Sequence, residues 1–215
     1  MKKIIPIIIF ACIYGKSIAQ GSETDFRERL LFGIKAGLNY SNVYDSKGDE
    51  FQTNPKFGLA GGAFLSIPIG KYFGLQPEFL ISQKGFKSSG RILNNNYNMT
   101  RTTNYIDIPL LFTLKPSEFL SIVAGPQYSH LISKTDVFTN ETTTIEQQQE
   151  FKNDNIRTNT LCFVGGLDIN LKHFVLGARI GWDVQNNVEN GPSTTPRYKN
   201  VWGQGTLGYR FYSTK

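Results

Sequence analysis

The sequence predicts an all-β fold: an eight-stranded antiparallel transmembrane up-and-down β-barrel after an N-terminal signal peptide. Three observations carry this prediction: period-two alternation that recurs along the chain, connections that alternate between short and long, and an export-type N-terminus. The composition agrees. Among 215 residues there are 21 Gly, 16 Phe and 10 Tyr against 2 Met and 2 His, and an excess of glycine and aromatics suits strands and turns. With 40% hydrophobic and 19% charged residues, the chain is neither a disordered polymer nor a bundle of membrane helices.

The first nineteen residues read as an address. Lys2 and Lys3 precede the apolar run Ile4–Tyr14, broken only by Pro6. Ser17-Ile18-Ala19 then places small residues three and one before a break ahead of Gln20, the layout of a cleaved secretory signal. A run of about eleven residues is too short to cross a bilayer as a helix, which takes about twenty. Cys12 after Ala11 is an alternative lipid-acceptor site, but Phe10 fits that pattern poorly. Removing 1–19 takes away Lys2, Lys3 and Lys16 and leaves 20 basic against 17 acidic residues, a net charge of +3 that gives no argument for nucleic acid. Cys162 is then the one cysteine left, so no intramolecular disulfide forms, and its expected role is that of a small buried hydrophobe. Residues 20–30 are a short polar periplasmic lead, and 31–212 are the barrel domain.

The strands follow in order. In Phe32–Tyr40 every even position is apolar or aromatic, with Gly, Lys and Asn between them. Phe57, Leu59, Ala63, Leu65 and Ile67 share one parity in the second stretch, and Leu75, Pro77, Phe79 and Ile81 in the third. Ile106, Ile108, Leu110, Phe112 and Leu114 mark the fourth, and Leu120, Ile122, Ala124 and Tyr128 the fifth. Leu161, Phe163, Leu167, Ile169 and Leu171 mark the sixth, Leu176, Ala178, Ile180, Trp182 and Val184 the seventh, and Val201, Leu207, Tyr209 and Phe211 the eighth. Phe64, Leu80, Leu111, Val123 and Val164 break the pattern by falling on the polar parity.

Short joins at Pro68–Phe73, Lys115–Glu118 and Lys172-His173 alternate with long polar ones at about 42–56, 87–104, 134–158 and 186–200. Short turns at one end and long loops at the other are the layout of an outer-membrane barrel, and closure removes the unpaired sheet edges. The apolar parity is therefore expected to face lipid. Phe73, Phe119, Phe174 and Phe211 are expected to form one aromatic girdle near the short turns, and Tyr40, Phe57, Tyr128 and Trp182 another near the long loops. The opposite parity collects Lys35, Glu78, Lys84, Asp107, Asp168, Arg179, Asp183 and Arg210, four charges of each sign. In a lumen only wide enough for side chains, such balance implies a structural, hydrogen-bonded salt-bridge network in which every ion has a potential partner. The alternative is a polar conduit for a small solute.

Several of these segments resemble the PorT-like family of outer-membrane β-barrels of Bacteroidota. Gly33–Asn39 is similar to the family's first strand, Pro77–Gly85 to its third, Asn104–Leu111 to its fourth, Gly125–Tyr128 to its fifth and Gly208–Phe211 to its closing strand. The resemblance spans nearly the whole mature chain and implies fold and outer-membrane location. The founding member takes part in type IX secretion, and no motif here carries that role over. The chain departs from the usual assembly signal in having Thr206 five residues before the final aromatic, where glycine is common, and in continuing four residues past Phe211.

No phosphate loop, GxSxG elbow or zinc spacing is present, so no cofactor is expected. His130 and Ser129 are sequence neighbours and so lie on opposite faces, which argues against a hydrolase dyad; His173 sits in a short turn beside Phe174. Asp45, Asp49 and Glu50 form either a solvated acidic loop or a calcium site. The functional expectation is a non-catalytic outer-membrane barrel with long extracellular loops, of partner-binding or envelope-structural type. The alternatives are an accessory component of protein export or solute transport, and a lipid-modifying enzyme. The expected partners are outer-membrane lipid, the barrel-assembly machinery and an extracellular or secretion-system protein.

Overall fold

Eight strands pair in sequence order and the first closes on the last. The structure, a computed structural model, describes residues 25–45, 53–92, 95–138, 155–188 and 197–212; the expected signal peptide and part of each expected long loop lie outside them. The strands are β1 (Leu31–Asp45), β2 (Thr53–Pro68), β3 (Phe73–Ile92), β4 (Asn95–Leu114), β5 (Leu120–Phe138), β6 (Asn159–Leu171), β7 (Phe174–Asp183) and β8 (Tyr198–Phe211). All neighbours are antiparallel, and β1 pairs with β8 from Phe32↔Phe211 to Asp45↔Tyr198. Closure satisfies every ladder internally, the one way a sheet crosses hydrocarbon. Among the described residues no helix is long and apolar enough to cross a membrane.

The parity of each strand decides which face meets what. On β7 the pattern alternates strictly, with Leu176, Ile180 and Trp182 exposed and Val175, Arg179 and Asp183 buried. Phe32, Ile34, Leu38, Phe79, Ile81, Ile108, Leu110, Phe112, Leu207 and Tyr209 lie exposed on the same outer surface. An exterior this apolar over an interior this polar is the inverse of a water-soluble barrel. The residues that break the alternation fill the lumen: Phe64, Leu80, Leu111, Val123 and Val164 are all buried. Leu111, Val123, Cys162, Val164 and Trp202 form an apolar plug across the lumen. The Trp202 ring lies over Gly181, its cross-strand partner, where any β-carbon would collide with it.

The expected long loops are corrected. Much of 87–104 is strand, since β3 and β4 pair continuously from Phe73↔Leu114 to Ile92↔Asn95, and β5 continues to Phe138. The outer face records why the alternation fades there. On β4 it runs Leu114, Phe112, Leu110, Ile108, Ile106, then Asn104, Thr102 and Thr100. Nine residues of tilted strand rise about 23 Å, close to the ~25 Å apolar band of membrane barrels. Above that level the outer face meets water while Arg101, Met99 and Phe86 stay buried inside, so the outer parity need not be apolar. A polar ladder marks the border: Gln83 Nε2 donates to Asn104 Oδ1 at 3.1 Å, and Asn104 Nδ2 to Ser133 Oγ at 2.9 Å. Just there the β4–β5 register shifts, from Tyr105↔Leu131 to Asn104↔Ser133, leaving Ile132 as an extra residue. Gly85 stands at the same level on β3 with φ 156°, where a β-carbon would meet the Arg101 carbonyl.

At the short-turn end, β2 joins β3 through 69–72, β4 joins β5 through 115–119, and β6 joins β7 through Lys172-His173, with Lys172 at φ 49°. A one-turn 3-10 helix, Phe26–Glu28, lies at this mouth. Its Phe26 ring packs on Tyr212 at 4.5 Å, the Arg27 guanidinium stands 5.4 Å from the Tyr72 ring, and Arg27 O accepts from Lys115 Nζ at 3.0 Å.

Ile108→Arg or Ile180→Arg should cost about 2–4 kcal/mol, since both side chains leave the outer wall near mid-height. Thr113→Ala, on the inner face, should cost far less. Urea unfolding of the refolded barrel in lipid vesicles measures the difference, and equal costs would refute the parity.

Candidate functional site in the barrel lumen

Inward residues on each strand lie two apart, and neighbouring strands bring them into tiers. Along β3 the inward series reads Gln76, Glu78, Leu80, Ser82, Lys84 and Phe86, all buried. Polar residues therefore sit below and above the apolar plug.

The lower tier is a closed, charge-neutral cluster. Lys35 Nζ on β1 meets Glu78 Oε1 on β3 at 2.6 Å. Arg179 on β7 binds Asp168 on β6 through two parallel bonds, Nη1 to Oδ1 at 2.6 Å and Nη2 to Oδ2 at 2.8 Å. Gln76 Nε2 joins the two pairs, donating to Glu78 Oε1 at 2.8 Å and to Asp168 Oδ2 at 3.3 Å, and Arg179 Nη2 approaches Glu78 at 3.7 Å. Lys35 also stands 5.1 Å from the Phe64 ring. Four strands are thus tied across the lumen.

The upper tier centres on Lys84, which is 1% exposed. Its ammonium pairs with Asp107 at 3.0 Å and lies 3.8 Å from the Trp202 ring and 4.9 Å from Tyr105, a cation between a carboxylate and two aromatic faces. Ser129 Oγ donates to Asp107 at 2.6 Å. Asp183 accepts from Cys162 Sγ at 3.1 Å and from Asn200 at 3.0 Å (backbone) and 2.5 Å (side chain). Alongside, Asn39 Nδ2 donates to Ser82 Oγ at 3.0 Å and Gln204 Nε2 to Asn39 Oδ1 at 2.9 Å. A fourth ion pair caps the interior toward the long loops: Arg101 Nε and Nη2 bind Asp136 at 2.8 and 2.9 Å, and Nη1 donates to Tyr198 Oη at 3.1 Å.

All eight inward charges named from the sequence are buried. Six of them form ion pairs. The other two do not among the described residues. Asp183 is held by neutral donors. Arg210 donates from Nη2 to the Lys172 carbonyl at 2.8 Å, while its Nε has no partner. Sequence reasoning also missed the Arg101–Asp136 pair, because both residues fell in stretches read as loops and the Ile132 bulge turns Asp136 inward. Of the aromatics named for the girdles, all eight are exposed on the outer wall; Tyr40 packs on Phe57 at 4.8 Å, Trp182 on Phe163 at 5.3 Å and Phe211 on Phe32 at 5.8 Å.

Among the described residues, buried side chains of the tiers and the plug fill the lumen. Two cavities lined by described residues measure about 20 Å³ and about 10 Å³, room for single water molecules. Ser129 is buried in the lumen, whereas His130 is exposed outside and bonds Asn159 at 2.7 Å, so the two form no dyad. His173 stacks on Tyr209 and Tyr212 at the mouth. Among the described residues no group of three or more His, Cys, Asp or Glu is placed to hold a metal; Asp49 and Glu50 lie outside them.

A closed eight-stranded barrel with an apolar exterior and a packed, ion-paired interior defines an outer-membrane barrel protein. The sequence pattern of the outer membrane protein beta-barrel domain matches residues 18–187, and the chain belongs to that family. No curated protein matches the sequence. Solved structures that are similar include the attachment invasion locus protein Ail of Yersinia pestis, at 13% identity over 85% of this chain and 99% of that one, with a TM-score of 0.43. OprG from Pseudomonas aeruginosa is 14% identical over 88% of this chain and 100% of its own, with a TM-score of 0.46. Neisserial surface protein A is 10% identical over 84% and 97%, with a TM-score of 0.47.

Glu78→Ala should destabilise the barrel by about 3–5 kcal/mol, because Lys35 is left buried without its partner. Lys35→Met combined with Glu78→Met should recover most of that loss, as replacing a buried pair with apolar groups is often neutral. Denaturant unfolding of the single and double variants measures both. At the mouth, the Arg27 side chain holds the Asp25 carboxyl down at about 2. The docked turn therefore keeps this contribution above the ordinary carboxylate range and loses it as pH falls through about 2. The exchange protection of the Arg27 amide, which donates to Asp25 at 3.1 Å, should vanish over that window and be absent at every pH in Asp25→Asn.

Proposed function

We propose that this outer-membrane barrel is non-catalytic and works as a partner-binding or envelope-structural protein through its long-loop end. The observation that carries the reading is the height of the wall. β3, β4 and β5 are 20, 20 and 19 residues long against 10 for β7, so a stiff three-stranded face stands well above the lipid band on one side. Its outer positions include Lys87, Asn98, Thr100, Thr102 and Thr135, a mainly hydrogen-bonding surface on which Ile132 and Val137 are also exposed. The packed lumen supports the same reading, since a barrel without a passage has its surface left to work with. In this orientation the short turns and both termini are periplasmic and the long loops extracellular, the usual arrangement of such barrels.

A second reading, an accessory role in protein export, rests on the resemblance of β1, β3, β4, β5 and β8 segments to PorT-like barrels. Solute transport has less support, because a conduit would need the lower cluster and the apolar plug to part together.

An epitope tag inserted near Gln148 should bind antibody on intact cells, and one after Lys215 should bind only after permeabilisation. The reverse pattern would overturn the orientation. The purified protein should give no stable current in planar bilayers; a steady ion-selective conductance would remove the sealed-barrel reading and favour transport.

A further inference from the structure

We propose that the short-turn mouth holds one small monatomic anion, of the halide class, in the cavity beneath the Phe26–Glu28 turn. That cavity measures about 20 Å³, and its lining includes Phe26, Leu31, Gln76, Lys115, Asn170 and Arg210. Three cations line it: Arg27, which is paired with Asp25, and Arg210 and Lys115 from two other elements. Arg210, 7% exposed, spends Nη2 on the Lys172 carbonyl and leaves Nε–H buried with no acceptor. Lys115, 5% exposed, donates to Arg27 O at 3.0 Å. Two further buried hydroxyls without partners, Thr113 Oγ1 and Tyr212 Oη, lie at the same end of the barrel.

The acids nearby do not answer these donors. Asp168 lines the cavity, but Arg179 and Gln76 occupy both its oxygens. Asp25 is taken by Arg27 and Lys71. Glu118 also lines the cavity, yet it is exposed and pairs with neither Arg210 nor Lys115 among the described residues. The Arg210 guanidinium is thus left with a buried donor that no acceptor meets, beside the buried Lys115 ammonium that no carboxylate among the described residues meets, and both are costly. A water molecule brings as many donors as acceptors. An anion brings acceptor capacity and the missing charge together. The volume selects among anions: it admits a sphere of about the size of water or a little larger, which excludes phosphate and sulfate. Bound there, the ion joins β8, the β4–β5 turn and the lead segment, whose Arg27 carbonyl is already held by Lys115.

The test uses the full-length barrel refolded in detergent. Thermal unfolding is compared in chloride or bromide and in gluconate, at fixed ionic strength. Saturating halide should raise the melting temperature by roughly 2–4 °C over gluconate. Arg210→Gln and Lys115→Gln should each remove that increment, and the exposed Lys71→Gln should keep it. Crystals grown in bromide should show an anomalous peak within hydrogen-bond reach of Arg210 Nε; this and the Lys115 variant decide the matter if Arg210→Gln does not fold. Equal melting temperatures in halide and gluconate, an increment that survives both substitutions, or a water without anomalous signal in the cavity would each overturn the proposal.

Discussion

An inward-facing side chain in an eight-stranded membrane barrel has neither lipid nor bulk water to fall back on. The lumen is too narrow for a water column, and the wall excludes everything else. An inward polar atom therefore has only the few side chains that the register brings within reach, and Arg210 Nε and Thr113 Oγ1 find none. This constraint explains why the interior is layered. Lys35, Glu78, Gln76, Asp168 and Arg179 close on themselves with balanced charge. Leu111, Val123 and Val164 carry no polar side-chain atom and, with Cys162 and Trp202, fill the middle. Lys84 is compensated by Asp107 and by two aromatic faces rather than by water.

The same constraint sets where the rules change. Within the lipid band an outward position must be apolar and an inward one satisfied, so the sequence alternates. Above the Gln83–Asn104–Ser133 ladder, water reaches the outer face and the alternation loses its cause. The ladder itself has no reason to stop, since Thr, Asn and Ser pair across strands as well as apolar residues do when the backbone bonds are made. β3, β4 and β5 accordingly continue as a wall that rises from one side of the barrel.

The membrane-spanning part was legible because parity is a period of two and lipid enforces it residue by residue. Eight strands, their order and the inward position of charges such as Lys84 and Asp168 follow from that alone. The upper wall was not legible, because 87–104 has the composition of a loop and only its cross-strand pairing shows it to be strand. Asp136 was hidden by the single extra residue Ile132, which inverts the parity after it. Partner choice was legible only where the strands are adjacent, as for Arg179 and Asp168. That Lys35 reaches across β2 to Glu78, or that Arg210 ends beside a carbonyl instead of a carboxylate, depends on stagger that periodicity does not encode.

The account rests on an interior that neither lipid nor water enters, and paramagnetic relaxation in lipid nanodiscs tests this directly. A lipid-borne spin label should broaden the signals of outward Leu110, Phe112 and Ile180, and a water-soluble gadolinium chelate those of the upper-wall positions Thr100 and Thr135. Lys84, Asp107 and Trp202 should be touched by neither reagent. Relaxation of those three by the soluble chelate, at a level near that of the upper wall, would show an open aqueous lumen and contradict the account.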